Sequence, residues 1–516
     1  MRVTNKIMQN NTLYNINQNK VYQDKLNTQM TTRKKVTKPS DDPVVAIRSL
    51  RLRSNLNQVT QYYDKNIPDA EQWLDLTESA INTTIDVVSN MIDECRKGAK
   101  GSLKTSDRAT ILESLKQLRD EVYATGDSDY AGRTIFTGYR TDTKLSFEKN
   151  ETKKYTITEQ INNLSVSDIT VVNTANIKEA NATNYNNPAL TGATEQDISM
   201  DVVHRIRLAY DRLDEVTDPA TDLSFKMTVG YDADGNPMYD DLFDPTVFTV
   251  STPAAGSNPY VDINDPSNDD SIIFIPDTGE VLLGKNAYAR VLSLKPEVEI
   301  TVTYNKSEWA DGDLRPEHYF ACESDSVKYN ERYLTEIGKD DRQTISYDVG
   351  FNQTIDINTT ADEVFDPAVR RTVDELINML DEIQKIDDVV EKFKAMKEDS
   401  SADQDYVTQR LDAALKAQSL LNDTIQKRFE HGITQFQDYL DTANTALTAV
   451  GNRSLRLDLV ENRLSAQKSG FEVLTSENED ADLAELAIEL KSAQLTYDAA
   501  LASTGKLMQT TLLNYL

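Results

Sequence analysis

The sequence is poor in the residues from which most catalytic and metal centres are built. Its 516 residues include only 3 histidines and 2 cysteines, Cys95 and Cys322. Two cysteines exclude a disulfide framework, and three histidines exclude a histidine-rich metal site and leave few candidates for a general base. Phosphate-binding glycine loops, nucleophile elbows and HExxH zinc motifs are also missing. We therefore expect a protein that is not an enzyme and that carries no cofactor.

Long apolar runs and an excess of positive charge are missing as well. No apolar run reaches the roughly 18 residues of a membrane span, and residues 1–30 lack the apolar core of a cleavable signal peptide. Lys and Arg total 55 against 85 Asp and Glu, which gives a net charge of −30. Nucleic acids and anionic membranes bind clustered cations, so we expect neither as a partner.

The composition favours long helices, because Gly (18 residues) and Pro (14 residues) are scarce and hydrophobic residues make up only 39%. A start signal at 40–43 (SDDP) and a stop at 97–98 (KG) predict a helix over 43–100. We expect a kink or a restart at Pro68, and a second helix over about 106–125. Within 43–100 the apolar residues repeat every seven positions, as in a coiled coil: Ile67, Leu74, Ile81, Val88 and Cys95.

The pattern is helical again from Pro367 almost to the end of the chain. A second seven-residue repeat consists of Phe436, Ala443, Val450, Leu457, Leu464 and Phe471. A looser seam follows, interrupted by polar residues: Leu483, Ala487, Leu490, Tyr497, Leu501 and Met508. This last seam is either an ordinary coiled coil within the monomer or an assembly helix that is completed by neighbouring subunits, since isolated helices with such seams are marginal.

Between the helical regions, residues 141–366 have a β pattern. Val, Ile, Thr and Tyr alternate with polar residues, and turn signals such as 234–237 (DGNP) separate the runs. Residues 176–192 are rich in Asn, Ala and Thr, which predicts a linker. An amphipathic helix over about 196–216 is expected to follow, and the region could then form two subdomains.

Three features in the chain superficially suggest metal or redox chemistry. Residues 232–236 (DADGN) are similar to a calcium loop, but the glycine falls at the wrong position and a hairpin turn is favoured. His318 and Cys322 lie four residues apart and could hold a metal together on a helix, although a half-buried cysteine in a β domain is the favoured interpretation. Cys95 falls on the helical seam and is interpreted as a small buried apolar residue. We do not expect a disulfide between the two cysteines.

Together these patterns predict an α+β protein. Both termini are expected to form a long antiparallel helical coiled-coil rod, and a β-rich middle region is inserted into it. The expected divisions are a polar N-terminal segment (1–42), an N-terminal helical arm (43–140), a β-rich insert (141–366), a C-terminal helical arm (367–475) and a C-terminal helix (476–516).

Several segments resemble one protein family. They are similar to the flagellin-like hook–filament junction proteins, the hook-associated protein 3 family, at residues 1–5 (MRVTN), 38–43 (KPSDDP), 50–54 (LRLRS), 69–74 (DAEQWL), 130–139 (YAGRTIFTGY) and 501–516 (LASTGKLMQTTLLNYL). The resemblance covers about 1–140 and 370–516 and is weak between them, apart from 344–350 (TISYDVG).

The resemblance implies a secreted structural part of the bacterial flagellum that serves motility. Type III flagellar export would carry the chain unfolded, without a cleavable signal peptide. Its implied partners are the other hook–filament junction protein, flagellin, further copies in a ring, and an export chaperone on the C-terminal helix. The implied assembly interface consists of Leu483, Leu490, Tyr497, Leu501, Met508, Leu512, Leu513, Tyr515 and Leu516.

Other functions stay open from the sequence. The chain could be flagellin itself, which would polymerise into long filaments from seeds, whereas a junction protein should not. Alternatively, the β-rich insert could be an adhesin or another binding module carried on the rod. An enzyme grafted into the insert is disfavoured, because His204 and His318 stand there without a recognisable nucleophile or metal constellation.

Overall fold

The computed structural model describes residues 5–101, 103–181, 183–187, 193–216, 222–254, 256–338, 343–399 and 403–513, and the side chains of Asn5, Gln9 and 507–513 fall outside this description. The chain forms two compact units. Unit 1 consists of Met1–Glu71, Tyr347–Ile355 and Leu455–Leu516. Unit 2 consists of Gln72–Ser346 and Asp356–Ser454. None of the described helices has the length and apolar character of a membrane span.

Four helices lie in the N-terminal part of the chain: α1 (Asn5–Thr32), α2 (Pro43–Gln61), α3 (Ile67–Gly98) and α4 (Thr105–Gly126). The predicted start at Pro43 is confirmed, because the Asp42 carboxylate accepts hydrogen bonds from the N–H groups of Val44 and Val45 at 3.0 and 3.1 Å. A π-helical turn over Tyr62–Asn66 precedes Pro68, which lacks an N–H group, and confirms the predicted irregularity there.

The C-terminal part is helical as predicted. Helix α7 (Ala368–Glu398) begins next to Pro367, α8 (Gln404–Glu479) is 76 residues long, and α9 (Leu483–Leu513) follows after a short corner. Two short helices, α5 (Pro259–Asp262) and α6 (Lys285–Leu292), lie in the middle of the chain. Long terminal helices with a β-rich region between them give the expected α+β class.

A six-stranded antiparallel sheet forms one half of the β-rich region, in the order β13-β12-β3-β11-β6-β7. Its strands are β3 (Glu151–Ile161), β6 (Leu223–Tyr231), β7 (Pro237–Asp241), β11 (Ile300–Trp309), β12 (Ala321–Ser324) and β13 (Val327–Tyr329). The ring of Trp309 stacks on Phe147 and meets the edges of Tyr155 and Tyr210, which gives this sheet an aromatic core. The predicted hairpin turn is confirmed: Asp232 caps the β6–β7 turn by accepting N–H bonds from Asp234 and Asn236.

A second sheet has five strands in the order β4-β5-β10-β9-β8, with β8 parallel to β9. The strands are β4 (Val166–Asn173), β5 (Ser199–Arg207), β8 (Thr249–Ser251), β9 (Ser271–Ile275) and β10 (Glu280–Leu283). One face packs around Ile169, Val203 and Leu282. Two small hairpins contain the remaining strands of the described residues, β1 (Asp129–Tyr130) with β2 (Arg133–Thr134), and β14 (Ser346–Gly350) with β15 (Gln353–Asp356).

The helix predicted over about 196–216 is wrong, because residues 199–207 form strand β5 instead. Ile198, Val202 and Ile206 recur at a helical spacing, but Val202 is 53% exposed whereas its neighbour Val203 is fully buried. Strand β5 pairs with β4 and β10 on its two sides, and its β-branched residues suit a pleated surface. Tertiary pairing therefore overrides the helical periodicity.

Candidate assembly surface

The seven-residue repeats are largely buried. On α3, Ile67, Leu74, Ile81 and Val88 are no more than 2% exposed, and so are Phe436, Val450, Leu457 and Leu464 on α8. Phe471, near the end of α8, is half-buried. Within unit 2, a methyl group on Gly432 would lie 3.7 Å from Cys95 Sγ and 3.8 Å from Thr372 Cγ2. Helix α8 therefore packs against both α3 and α7 without a gap.

In unit 1 the first and last helices form an antiparallel pair. Leu26 of α1 packs against Leu486 and Ala493 of α9, with Leu490 at the edge of the cluster. The Gln23 side-chain amide donates to the Ala493 carbonyl at 2.9 Å. The apolar contact is narrow, because the half-buried residues of α1 are polar. This pairing gives α9 a partner inside its own chain.

Some of the predicted interface residues of α9 are half-buried and others are exposed. Leu490 and Tyr497 are half-buried, whereas Leu483 and Leu501 are 43% and 44% exposed. The side chains of Met508, Leu512 and Leu513, and the whole of Tyr515 and Leu516, lie outside the described residues. Helix α9 thus buries one stripe of its residues against α1, and other apolar residues of α9 stay exposed.

Unit 1 leaves exposed a set of apolar side chains that the sequence patterns did not predict. We call them the unit 1 apolar surface: Leu13, Tyr14 and Val21 of α1, Val44, Ile47 and Leu50 of α2, Leu455 and Leu459 of α8, and Ile488 and Leu495 of α9, all at least 55% exposed. Isolated exposed apolar residues are ordinary, but Ile488 and Leu495 recur seven residues apart on one side of α9, which is typical of a stripe that contacts a partner. The seven-residue spacing of Ile488 and Leu495 was a signal that could have revealed it.

A buried carboxylate fixes the corner between α8 and α9. Glu479 is 6% exposed and accepts hydrogen bonds from Arg53 Nε at 2.6 Å and Nη2 at 2.5 Å, and from the Ser49 hydroxyl. Lys34 Nζ lies 3.2 Å from the same carboxylate. The Arg53 guanidinium, with Ser49 and Lys34, lowers the pKa of Glu479 to about 2. These contacts tie α2, and the connection that precedes it, to the C-terminal helices of unit 1.

We expect the stabilising effect of Glu479 to depend on pH. Its folded-state pKa of about 2 lies below the ordinary value of 4.5, so the ionised group stabilises unit 1 above pH 4.5 and this contribution is lost as the pH falls toward 2. Glu479→Gln should destabilise the corner by about 1–2 kcal/mol at pH 7, since the partner cations are partly exposed. Hydrogen exchange of the α9 amides measures this, and the difference should shrink at pH 3. An equal difference at both pH values, or an equal effect of Glu477→Gln, would contradict the assignment.

The residues that suggested metal or redox chemistry, His318, Cys322 and Cys95, do not lie in a cluster of possible metal ligands among the described residues. Among the described residues no group of three or more His, Cys, Asp or Glu side chains could hold a metal ion. His318 is buried in a short 3₁₀ turn with Nε2 3.1 Å from the Lys144 carbonyl oxygen, and Cys322 is buried on β12. Cys95 is buried on the α3 seam, as predicted, and burial raises the pKa of its thiol to about 12. Both cysteines are free.

The helices α1 to α4 and the β1–β2 hairpin coincide with a known domain. Residues 3–141 match the bacterial flagellin N-terminal helical region. Flagellar hook-associated protein 3 of Salmonella typhimurium is 31% identical over 143 residues, which are 28% of this chain and 45% of that protein. The protein of the same name from Escherichia coli is 30% identical over 144 residues, with the same coverage. These matches confirm the resemblance that the N-terminal motifs predicted.

The matched part is limited in length. The chain spans 45% of the curated hook-associated proteins that it matches, and the flagellin N-terminal helical region ends at residue 141. A solved structure of flagellar hook-associated protein 3 from Legionella pneumophila aligns over 83% of this chain and 97% of its own, at 10% identity and a TM-score of 0.29.

Proposed function

We propose that this protein is a non-enzymatic structural subunit of the bacterial flagellum that joins the hook to the filament. The unit 1 apolar surface carries the proposal, because it offers apolar side chains on α1, α2, α8 and α9 beside the pair formed by the first and last helices. Burial of such stripes by neighbouring subunits supplies association energy in proportion to the apolar area that is removed from water. The likeness of residues 3–141 to flagellin supports the flagellar setting.

The proposed arrangement uses the two ends and the middle of the chain differently. The inner arms, 1–140 and 367–516, would pack between subunits by helix pairing in a ring, with 1–42 and 476–516 as the assembly segments. Their axial neighbours would be the other hook–filament junction protein on one side and flagellin on the other. The β-rich insert, 141–366, would face outward. The chain would be secreted through the flagellar export channel, with a chaperone on its C-terminal helix.

The double variant Ile488→Asp, Leu495→Asp tests this surface. Both side chains are exposed, at 71% and 63%, so their replacement should leave the monomer folded. We expect the variant to be exported but not incorporated, and motility in soft agar to fall to that of a strain without the gene. Circular dichroism of the purified monomer checks its fold.

Lys491→Glu is the matched control, because it adds negative charge to the exposed polar part of the same helix and removes no apolar contact. It should retain motility. Normal motility of the double variant would overturn the proposed role of the surface. Growth of long filaments from the purified wild-type chain on seeds would instead identify a flagellin.

A further inference from the structure

A cavity of about 540 Å³ lies within unit 2, between the five-stranded sheet and helices α7 and α8. Strand β5 contributes Arg205 and Arg207, α7 contributes Arg371 and Glu375, and α8 contributes Arg428. The rest of the wall mixes polar side chains with an apolar part that includes Ile169, Val171, Met379, Ile386 and Leu421. The volume falls within the range of cavities that bind small organic molecules. Nothing in the proposed flagellar assembly uses this cavity.

Three guanidinium groups converge on one carboxylate at the cavity wall. Glu375 lies 2.7 Å from Arg205, 3.2 Å from Arg207 and 2.6 Å from Arg428. Arg205 also pairs with the buried carboxylate of Glu280. These five groups carry three positive and two negative charges, so the cluster retains one uncompensated positive charge. The chain as a whole carries a net charge of −30, so the charge of this cluster is opposite in sign to that of the protein.

The remaining charged groups near the cavity balance this surplus formally, but only through groups that are exposed to solvent. Arg371 donates to the carbonyl oxygens of Leu208 and Thr278, and its guanidinium lies 4.0 Å from the Asp211 carboxylate. Lys178, Asp277 and Glu382 line the cavity too, but they are exposed to solvent, which screens their charges. The inner wall therefore presents a cationic surface.

The pKa of His431 is influenced by the same arginines and by Glu375. Burial lowers the pKa of His431; Glu375 acts in the opposite direction, and the positive charges of Arg428, Arg207 and Arg205 lower the pKa further. The pKa is lowered on balance, so the combined effect of burial and the arginines outweighs the effect of the Glu375 carboxylate. An anion bound beside these arginines would oppose them and raise the pKa of His431.

The arginines also keep donors for a ligand. A guanidinium has five N–H donors. Arg428 contacts Glu375 through Nη1 and donates from Nη2 to the Thr170 carbonyl at 3.3 Å. The side chains of Arg428 and Arg207 retain 14% and 12% exposure, so a small molecule that enters the cavity can reach them. Planar guanidinium groups bind carboxylate and phosphate oxygens especially well.

We propose that this cavity binds a small organic anion. Its carboxylate or phosphate group would be held by Arg428 and Arg207, and its apolar part would lie against Val171 and Met379. The ligand neutralises the surplus charge of the arginine cluster and fills the space between the sheet and the helices. The proposal concerns unit 2 alone and does not depend on the proposed flagellar function.

Titration of the full chain with benzoate, phenyl phosphate and inorganic phosphate tests the proposal. At constant ionic strength, at least one of the two aromatic anions should bind saturably at one equivalent, more tightly than inorganic phosphate. Proton NMR should show a higher pKa for His431 at saturation, whereas the pKa of His318 should not change. Tighter binding of benzoate or of phenyl phosphate decides between a carboxylate and a phosphate ligand.

Two variants and a control separate a ligand site from a structural charge network. Arg428→Gln should weaken the affinity at least about tenfold, by loss of a charge-assisted hydrogen bond. Met379→Trp should block binding by filling the cavity while it leaves every arginine in place. Arg290→Gln, on α6 and away from the cavity lining, should bind as the wild type does. Absence of saturable binding by all three anions, or equal affinity in Met379→Trp and the wild type, would overturn the proposal.

Discussion

We expect a chain that ends at Lys506 to fold its β-rich region normally and yet to leave cells without filaments. Deletion of residues 507–516 removes six apolar side chains: Leu507, Met508, Leu512, Leu513, Tyr515 and Leu516. Unit 2 contains none of these residues, so its sheets should form as in the wild type. If the segment completes a seam between subunits, its loss removes the burial of several large side chains, each worth about 1.5–3 kcal/mol, and assembly should fail.

The measurement combines two readouts from one strain. Filaments are counted by electron microscopy, and circular dichroism of the purified chain reports the β content. A chain with Thr510→Ser and Thr511→Ser is the matched control, because it keeps the length and every apolar residue of the segment. Filaments of normal number on cells that express the shortened chain would contradict the assembly role of this segment.

The largest effect on stability is expected from Gly279→Ala in the turn between β9 and β10. Gly279 has a φ of +58°, where an L side chain is strained by about 1–2 kcal/mol. A Cβ atom there would also lie 1.9 Å from the backbone carbonyl oxygen of Tyr210, so the backbone must move. We expect a total loss of about 3–5 kcal/mol in the free energy of unfolding of unit 2.

The fluorescence of Trp309 during urea unfolding, in a Trp73→Phe background, measures this loss, because Tyr210 packs 5.3 Å from the Trp309 ring. Gly235→Ala is the control, since Gly235 has a φ of +81° and a Cβ atom added there would meet no atom within 4 Å. It should lose only the backbone strain, about 1–2 kcal/mol. Equal losses in the two variants would show that the contact with Tyr210 is unimportant.

The helical parts of the fold were predictable because their periodicity is long and regular. The repeats that begin at Ile67 and at Phe436 predict buried stripes, and Asp42 with Pro43 predicts a helix start that the structure confirms. The β pattern and the turn at Asp234–Gly235 were also readable, because alternation and turn chemistry are local properties of the sequence.

Features that depend on distant partners were not predictable. Strand β5 was mistaken for a helix, since only its pairing with β4 and β10 decides between the two periods. The contact between Arg53 and Glu479 joins residues 426 positions apart, and 85 acidic residues gave no reason to single out one of them. The convergence of Arg205, Arg207 and Arg428 on Glu375 has the same origin, because it joins one strand to two separate helices.

The distance along the chain between Arg53 and Glu479 has a consequence for the order of folding. Unit 1 draws on three separated stretches of chain, whereas the sheets of unit 2 close over much shorter loops. The entropy cost of closing a loop grows only with the logarithm of its length, so the long separation costs unit 1 little final stability. Its effect falls on the rate, because non-local contacts form slowly. The contact between Arg53 and Glu479, which holds the corner of unit 1, is therefore expected to form late in folding.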